Sequence, residues 1–437
     1  MDYYIVQPGD TIYTIAERFG VPYQRLIYDN NIGPSFDITS GQIIVIAYPE
    51  STYSVQSGDT IQSIARAHNI TPLQLIQNNP FLLDRDYFNI GEELIISYPK
   101  KTRSIEINAY TFSFVNQDTL RKALPFLTYL TIANYRLSEQ GNIITPDDTE
   151  IIQMAKEFGV APIMMLANCS ELGMGSFAIS KNLFNNVEQQ NKLLDNILYI
   201  LRDRGLAGIN FSLIYVLPED LQAYTDFIIS AYERLKAEGY YVFVTLVPNT
   251  FGYSPTNENN ENPYYSQIGQ VVDGVVLLSF QFTSAYLPTF EQTTLPFIRG
   301  YTEFILTQIP PEKIFISYTR VAYDWELPYV EGQSPVVSLA NYDATVLAIT
   351  LGINIEFDEY HVTPYFYYEM GGTQHFVWFK DARTLEAILE IVDYYDLRGI
   401  AIWNVMDFTT PLWLVLNHNY EIIKVMNVTS PYLQLSM

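Results

Sequence analysis

Gly205-Leu206-Ala207-Gly208-Ile209-Asn210-Phe211-Ser212-Leu213-Ile214-Tyr215-Val216 is almost unbroken apolar sequence, set between helical stretches at 185–204 and 218–238. From Gly208 to Val216 it reads as a strand buried on both faces, a continuous run and not an alternation. Seven more runs of the kind follow residue 103, at 105–112, 129–133, 162–167, 241–247, 275–282, 314–318 and 399–405. Apolar strands alternating with helices predict a parallel sheet, and eight such units predict an α/β fold, a (β/α)8 TIM barrel over 102–437. Residues 324–380 do not fit one unit and read as a small α+β insertion between strands seven and eight.

Before the barrel lies a repeat. Val6-Gln7-Pro8-Gly9-Asp10-Thr11 returns 49 positions later as Val55-Gln56-Ser57-Gly58-Asp59-Thr60. Ile12, Ile15 and Ala16 return as Ile61, Ile64 and Ala65, Leu26-Ile27 as Leu75-Ile76, and Asn30 as Asn79; Gly41 returns as Gly91 with a one-residue slip. Each unit (1–49 and 50–101) is expected to be a βααβ module. A short strand enters a Gly-Asp turn, and Asp10 or Asp59 is placed to cap a helix whose apolar stripe is spaced i, i+3, i+4, i+7. Gly20 stops the first helix.

Composition narrows the function. The chain has 437 residues, 48% of them hydrophobic, and a net charge of −24 from 48 acidic and 24 basic residues. That charge argues against nucleic acid and anionic membrane as partners. No apolar run is long enough to span a bilayer, and Met1-Asp2-Tyr3-Tyr4 has neither the basic nor the apolar region of a signal peptide. Cys169 is the single cysteine, so no disulfide within the chain is possible, and His68, His361, His375 and His418 lack ligand spacing. No metal and no cofactor are expected.

The repeated Gly-Asp-Thr turn, the Leu-Ile-x-x-Asn/Asp-Asn segment and the closing Gly-x-x-Ile/Leu strand resemble LysM modules. That resemblance implies binding of N-acetylglucosamine in chitin or peptidoglycan. It points to Gly9, Asp10, Thr11, Ile27 and Asn30 in the first unit, and Gly58, Asp59, Thr60, Ile76 and Asn79 in the second.

The rest of the chain resembles glycoside hydrolase family 18, the chitinase-like family, and is nearest its spore-associated branch. The segments that carry this are 127–136, 323–329, Val377-Trp378-Phe379-Lys380-Asp381-Ala382-Arg383 and Gly399-Ile400-Ala401-Ile402-Trp403. The resemblance implies a D-G-x-x-x-D-x-E signature on strand four. The Glu would protonate the leaving oxygen, while the Asp orients the substrate's acetamido group for attack on the anomeric carbon. Here only Gly208 remains: the acids fall on Ala207, Ser212 and Ile214. On strand six the family's Tyr and Asp fall on Phe280 and Gln281. A general acid contributes roughly 10²–10⁴ in rate, and isoleucine has no proton to give. Trp403 stands where the family places the floor of a sugar subsite, with Tyr110, Trp325, Tyr135 and Trp378 as candidate rim aromatics. Glu219, Asp220, Asp324 and Asp407 follow barrel strands and are the candidates for a relocated acid.

The expectation is a catalytically inactive, glycan-binding chitinase-like protein. It would be made in the mother-cell cytoplasm and laid into a spore coat or exosporium, with spore-surface proteins as further partners. The alternative is an active spore peptidoglycan N-acetylglucosaminidase with a relocated general acid.

Overall fold

The computed structural model describes the chain except at residues 86, 100, 102, 139–140, 169–175, 249–262, 279–293, 331–333, 335 and 434–437. Cys169, Phe280 and Gln281 therefore lie outside the described residues.

The first module is β1 (Asp2–Ile5), α1 (Ile12–Phe19), α2 (Tyr23–Asp29) and β2 (Ile43–Ile46). The second is β3 (Ser51–Ser54), α3 (Ile61–Ala67), α4 (Pro72–Asn78) and β4 (Glu93–Ser97). In each, both helices lie on a two-stranded antiparallel sheet. The caps differ from the expectation. Thr11 and Thr60, not Asp10 and Asp59, cap α1 and α3, each accepting the N–H three residues on in a reciprocal capping box. The aspartates sit one residue further out and close the turn itself. Asp10 accepts Tyr4 Oη (2.6 Å) and the Gln7 N–H (2.8 Å), and Asp59 accepts Tyr53 Oη (2.9 Å) and the Gln56 N–H (2.7 Å). Gly20 ends α1 in the left-handed region, and Asn69, 49 positions later, takes the same backbone conformation.

The barrel begins with β5 (Arg103–Thr111), α5 (Gln117–Ala123) and β6 (Tyr129–Leu137), which carries the short arm β7 (Ile143–Ile144). It continues through α6 (Thr149–Glu157), β8 (Ala161–Ala167), α7 (Phe177–Phe184), α8 (Val187–Arg204), β9 (Gly208–Ser212), α9 (Leu221–Ala237) and β10 (Tyr241–Leu246). Next come α10 (Pro263–Val271), β11 (Gly274–Leu277), α11 (Leu295–Leu306) and β12 (Ile314–Thr319). The insertion is an antiparallel sheet of β13 (Val321–Leu327), β14 (Val336–Ala340), β15 (Glu356–Asp358), β16 (Thr363–Met370) and β17 (Thr373–Trp378), covered by α12 (Asn341–Leu351). Then α13 (Ala382–Tyr394), β18 (Gly399–Trp403), α14 (Thr410–Asn419) and β19 (Tyr420–Ile422) complete the chain. β18 pairs with β5 and β5 with β6, all parallel, so the eight strands close.

The helix expected over 185–204 is α8, which starts at Val187 because Asn186 caps it by accepting the Gln189 N–H (3.1 Å). Gly208 has a steric reason to be glycine: a Cβ there would stand 2.3 Å from the Tyr241 carbonyl oxygen across the β9–β10 pair.

Both modules are bonded to the rest of the chain. Ser40 accepts the Ile355 N–H (2.8 Å), Thr39 donates to Ile353 O (2.8 Å), and Asn31 accepts the Thr410 N–H (2.7 Å). The second module meets the barrel through Gln77 to Pro125 O (2.8 Å) and Asn417 to Asn78 Oδ1 (2.8 Å).

Candidate functional site

The inner face of the barrel separates into layers. At the N-terminal end Arg398 is paired to Glu106 (2.7 Å) and stands 5.1 Å from the Phe315 ring centroid. Above it Thr131 donates to Asn108 (2.8 Å), Thr245 to Asn210 (3.0 Å) and Asn210 to Tyr110 Oη (2.8 Å). Burial pushes the Tyr110 hydroxyl up to about 12. This layer is neutral amide and hydroxyl, bonded internally except at Asn108 Nδ2, and holds no group poised to give up a proton near neutral pH.

At the C-terminal end, where barrel active sites form, Trp403 packs on Tyr110 (5.0 Å between ring centroids) and on Phe112 (5.9 Å). Ile214 belongs to the same buried cluster and is only 7% exposed. Ser212 is buried at the last position of β9, and Ile214 lies two residues beyond the end of the strand. Ala207 lies at the opposite end of β9, its N–H bonded to Pro162 O (2.8 Å). The two positions of the missing Asp-x-Glu pair thus hold a buried hydroxyl and a buried hydrocarbon.

The candidates for a relocated acid are engaged or elsewhere. Asp407 pairs with the buried guanidinium of Arg320 (2.5 Å). Asp324 accepts Tyr368 Oη (2.5 Å) and faces His375 Nδ1 (3.0 Å) within the insertion sheet. Asp220 accepts Asn185 Nδ2 (3.1 Å), and Glu219 is exposed at the turn before α9. The expected rim aromatics prove to be core. Tyr135 is buried with its hydroxyl on Asp148, and Trp325 stacks on Trp378 (5.4 Å, 17°) in a buried cluster of the insertion.

In the modules, the residues read as sugar contacts divide. Asn30 and Asn79 are buried clamps. Asn30 donates to Leu26 O (3.0 Å) and Val45 O (2.9 Å) and accepts the Val45 N–H (2.7 Å). Asn79 does the same with Leu75 O (2.9 Å), Ile95 O (2.7 Å) and the Ile95 N–H (2.9 Å). Ile76 is fully buried and Ile27 packs on its module's core. Gly9, Gly58 and Thr11 stay exposed, while Asp10, Asp59 and Thr60 are half-buried.

Three residues that sequence reasoning passed over stand out on module one. Tyr13 is 49% exposed, and Tyr23 and Phe36 are exposed beside it, with centroids 4.9 and 6.4 Å from the Tyr13 ring. The signal was an aromatic on the polar side of α1, opposite Ile12, Ile15 and Ala16. The matching positions of module two are Gln62 and Pro72, and Gln62 donates to Leu433 O in the C-terminal segment. Among the described residues no cluster of histidine, cysteine and carboxylates is suited to a metal, and no helix is long and apolar enough to cross a membrane.

Comparison with known proteins agrees with this architecture. The LysM domain model matches residues 4–47 and 53–97, and the model of glycosyl hydrolases family 18 matches 104–407, well over half the chain. A cortical fragment-lytic enzyme of Bacillus subtilis (strain 168) is 29% identical, over 97% of this chain and 99% of its own. The crystal structure of the Bacillus cereus spore cortex-lytic enzyme SleL superposes with a TM-score of 0.79 at 26% identity, covering 98% of this chain and 99% of that one. The Bacillus megaterium QM B1551 spore cortex-lytic enzyme SleL gives 0.77 at 27% identity, over 97% and 98%. With a closed barrel matched by the family model and two modules docked on it, the chain belongs to glycosyl hydrolase family 18 and carries two LysM domains.

Proposed function

We propose that this protein binds N-acetylglucosamine-containing glycan, the peptidoglycan of a spore, and does not cleave it. The observation that carries this reading is Ile214, buried beside Trp403 and Tyr110 where the family's proton donor belongs. A neutral hydrogen-bonded layer lies beneath it, and among the described candidates Asp407 is paired with Arg320 and Asp324 is bonded to Tyr368. Binding is assigned to module one, where Gly9, Asp10 and Thr11 adjoin the exposed Tyr13, Tyr23 and Phe36. Aromatic faces against sugar C–H faces suit a neutral glycan better than a charged one, in keeping with a chain of −24. Deposition in the spore coat or exosporium, with other surface proteins as neighbours, completes the reading.

The second reading is an active N-acetylglucosaminidase with a relocated acid. It is favoured by the full-length relatives, which are named as lytic enzymes. A labelled β-linked N-acetylglucosamine oligomer and purified cortex peptidoglycan separate the two. The expected result is retention on peptidoglycan with no turnover above buffer. Turnover that disappears in Asp407→Asn or Glu219→Gln would establish the second reading instead.

A further inference from the structure

A cavity of about 690 Å³ lies outside the barrel, where three parts of the chain meet. Its walls are the loop between α2 and β2 of module one, α12 of the insertion, and the barrel segments at the end of β12 and the starts of α13 and α14. Tyr318 points away from the barrel interior here, so the cavity is separate from the Trp403 site. Its volume is that of an ordinary small-molecule site.

Lys380 lines it. The residue is 2% exposed, and its ammonium has no hydrogen-bond partner among the described residues. The nearest compensation is the Tyr318 ring, 5.7 Å from Nζ to the centroid. Lys424 shows how this fold otherwise houses such a group: its ammonium donates to Leu124 O (2.8 Å) and Leu127 O (2.6 Å). The other cation of the cavity, Arg320, is fully engaged with Asn404 O, Asp407 and Thr409. Asp381 is held by Arg383 (2.6 Å) and by capping α13. Among the described lining groups, Lys380 is therefore the one with an orphaned buried polar atom, in the wall of the cavity.

An unpaired buried ammonium is costly, and a carboxylate within reach removes the cost. Apart from Asp37 on the module-one loop, the remaining polar lining is hydroxyl and amide, including Thr39, Gln42, Asn341, Tyr342 and Thr345. We infer that the cavity between module one, the insertion and the barrel is a binding site for a small polyhydroxylated carboxylate, a sugar acid, whose anion pairs with Lys380. The site does not depend on glycan binding at the Tyr13 face or on the state of the barrel mouth.

The test uses the full chain and four probes: N-acetylmuramic acid and glucuronic acid, and their uncharged counterparts N-acetylglucosamine and glucose. Calorimetric titration and thermal shift are expected to detect at least one acid in the millimolar range or tighter, at least tenfold over its neutral counterpart. Lys380→Met removes the charge and is expected to abolish that difference, while Lys380→Arg retains part of it. Thr345→Tyr, which fills the cavity and leaves the lysine, is expected to abolish binding as well. Retention on peptidoglycan through module one is expected to be unchanged in all three. No binding of either acid at 10 mM overturns the proposal, and so does binding of an acid that survives both Lys380→Met and Thr345→Tyr.

Discussion

The two modules carry the same turn, the same threonine cap, the same buried asparagine clamp and the same stripe of isoleucines, and they fold alike. They do not present the same surface. Module one keeps Tyr13, Tyr23 and Phe36 open, whereas module two has Gln62 and Pro72 at the matching places, with Gln62 bonded to Leu433 of the C-terminal segment. A repeat therefore conserves what each copy needs in order to fold, and leaves the exposed face to be set by what docks against it.

The largest expected effect lies where module one adjoins the barrel. Burial holds the Lys380 ammonium down to about 7, well below its value in an unfolded chain. The unfolded state then binds the extra proton, so the penalty is complete below about pH 7 and fades as pH rises above it. Lys380→Met is expected to stabilise by on the order of 3 kcal/mol at pH 6 and clearly less at pH 9. Thermal melts at the two pH values check this; equal gains would show that the lysine carries no charge penalty.

Next come the asparagine clamps. Asn30→Ala and Asn79→Ala each orphan a buried backbone N–H and the carbonyl of Val45 or Ile95, and each is expected to cost about 2–3 kcal/mol in urea unfolding. A large inequality between them would break the structural equivalence of the modules.

Tyr13→Ala is expected to weaken binding to peptidoglycan about tenfold, or ~1.4 kcal/mol, without altering the fold. Gln62→Ala at the matching place is expected to change retention little. If both variants bind as the unaltered protein does, the aromatic face is not the platform. The smallest effect is expected at the caps: Thr11→Ala and Thr60→Ala each lose ~1 kcal/mol, read from denaturation midpoints.

Much of the barrel was legible because burial on both faces leaves long apolar runs, and a strand occurs in each of the eight expected runs, with ends shifted by a few residues where they are described; residues 279–282 of the sixth run lie outside the described residues. The error at strand four is instructive. The run at 208–216 is largely apolar, but only 208–212 is strand, because the apolar residues beyond it pack into the buried clusters, Ile214 and Tyr215 beside Trp403, and pair with no neighbouring strand among the described residues. Burial, not strand pairing, explains their composition. The module asparagines were misread for a related reason: a polar residue recurring in a repeat fits a ligand contact as well as a buried clamp, and only the bonds to Val45 and Ile95 separate the two.

The sequence by itself determined the two modules and the barrel, and the absence of the acid pair at Ser212 and Ile214, since these depend on local periodicity and on residue identity. Only the tertiary structure decided that Ile214 is buried beside Trp403, that module one's aromatic face stays open while Gln62 of module two is engaged, and that Lys380 is left unpaired in the wall of a cavity built by three segments. Those outcomes depend on which surfaces meet, and segments hundreds of residues apart carry no local pattern that records their meeting.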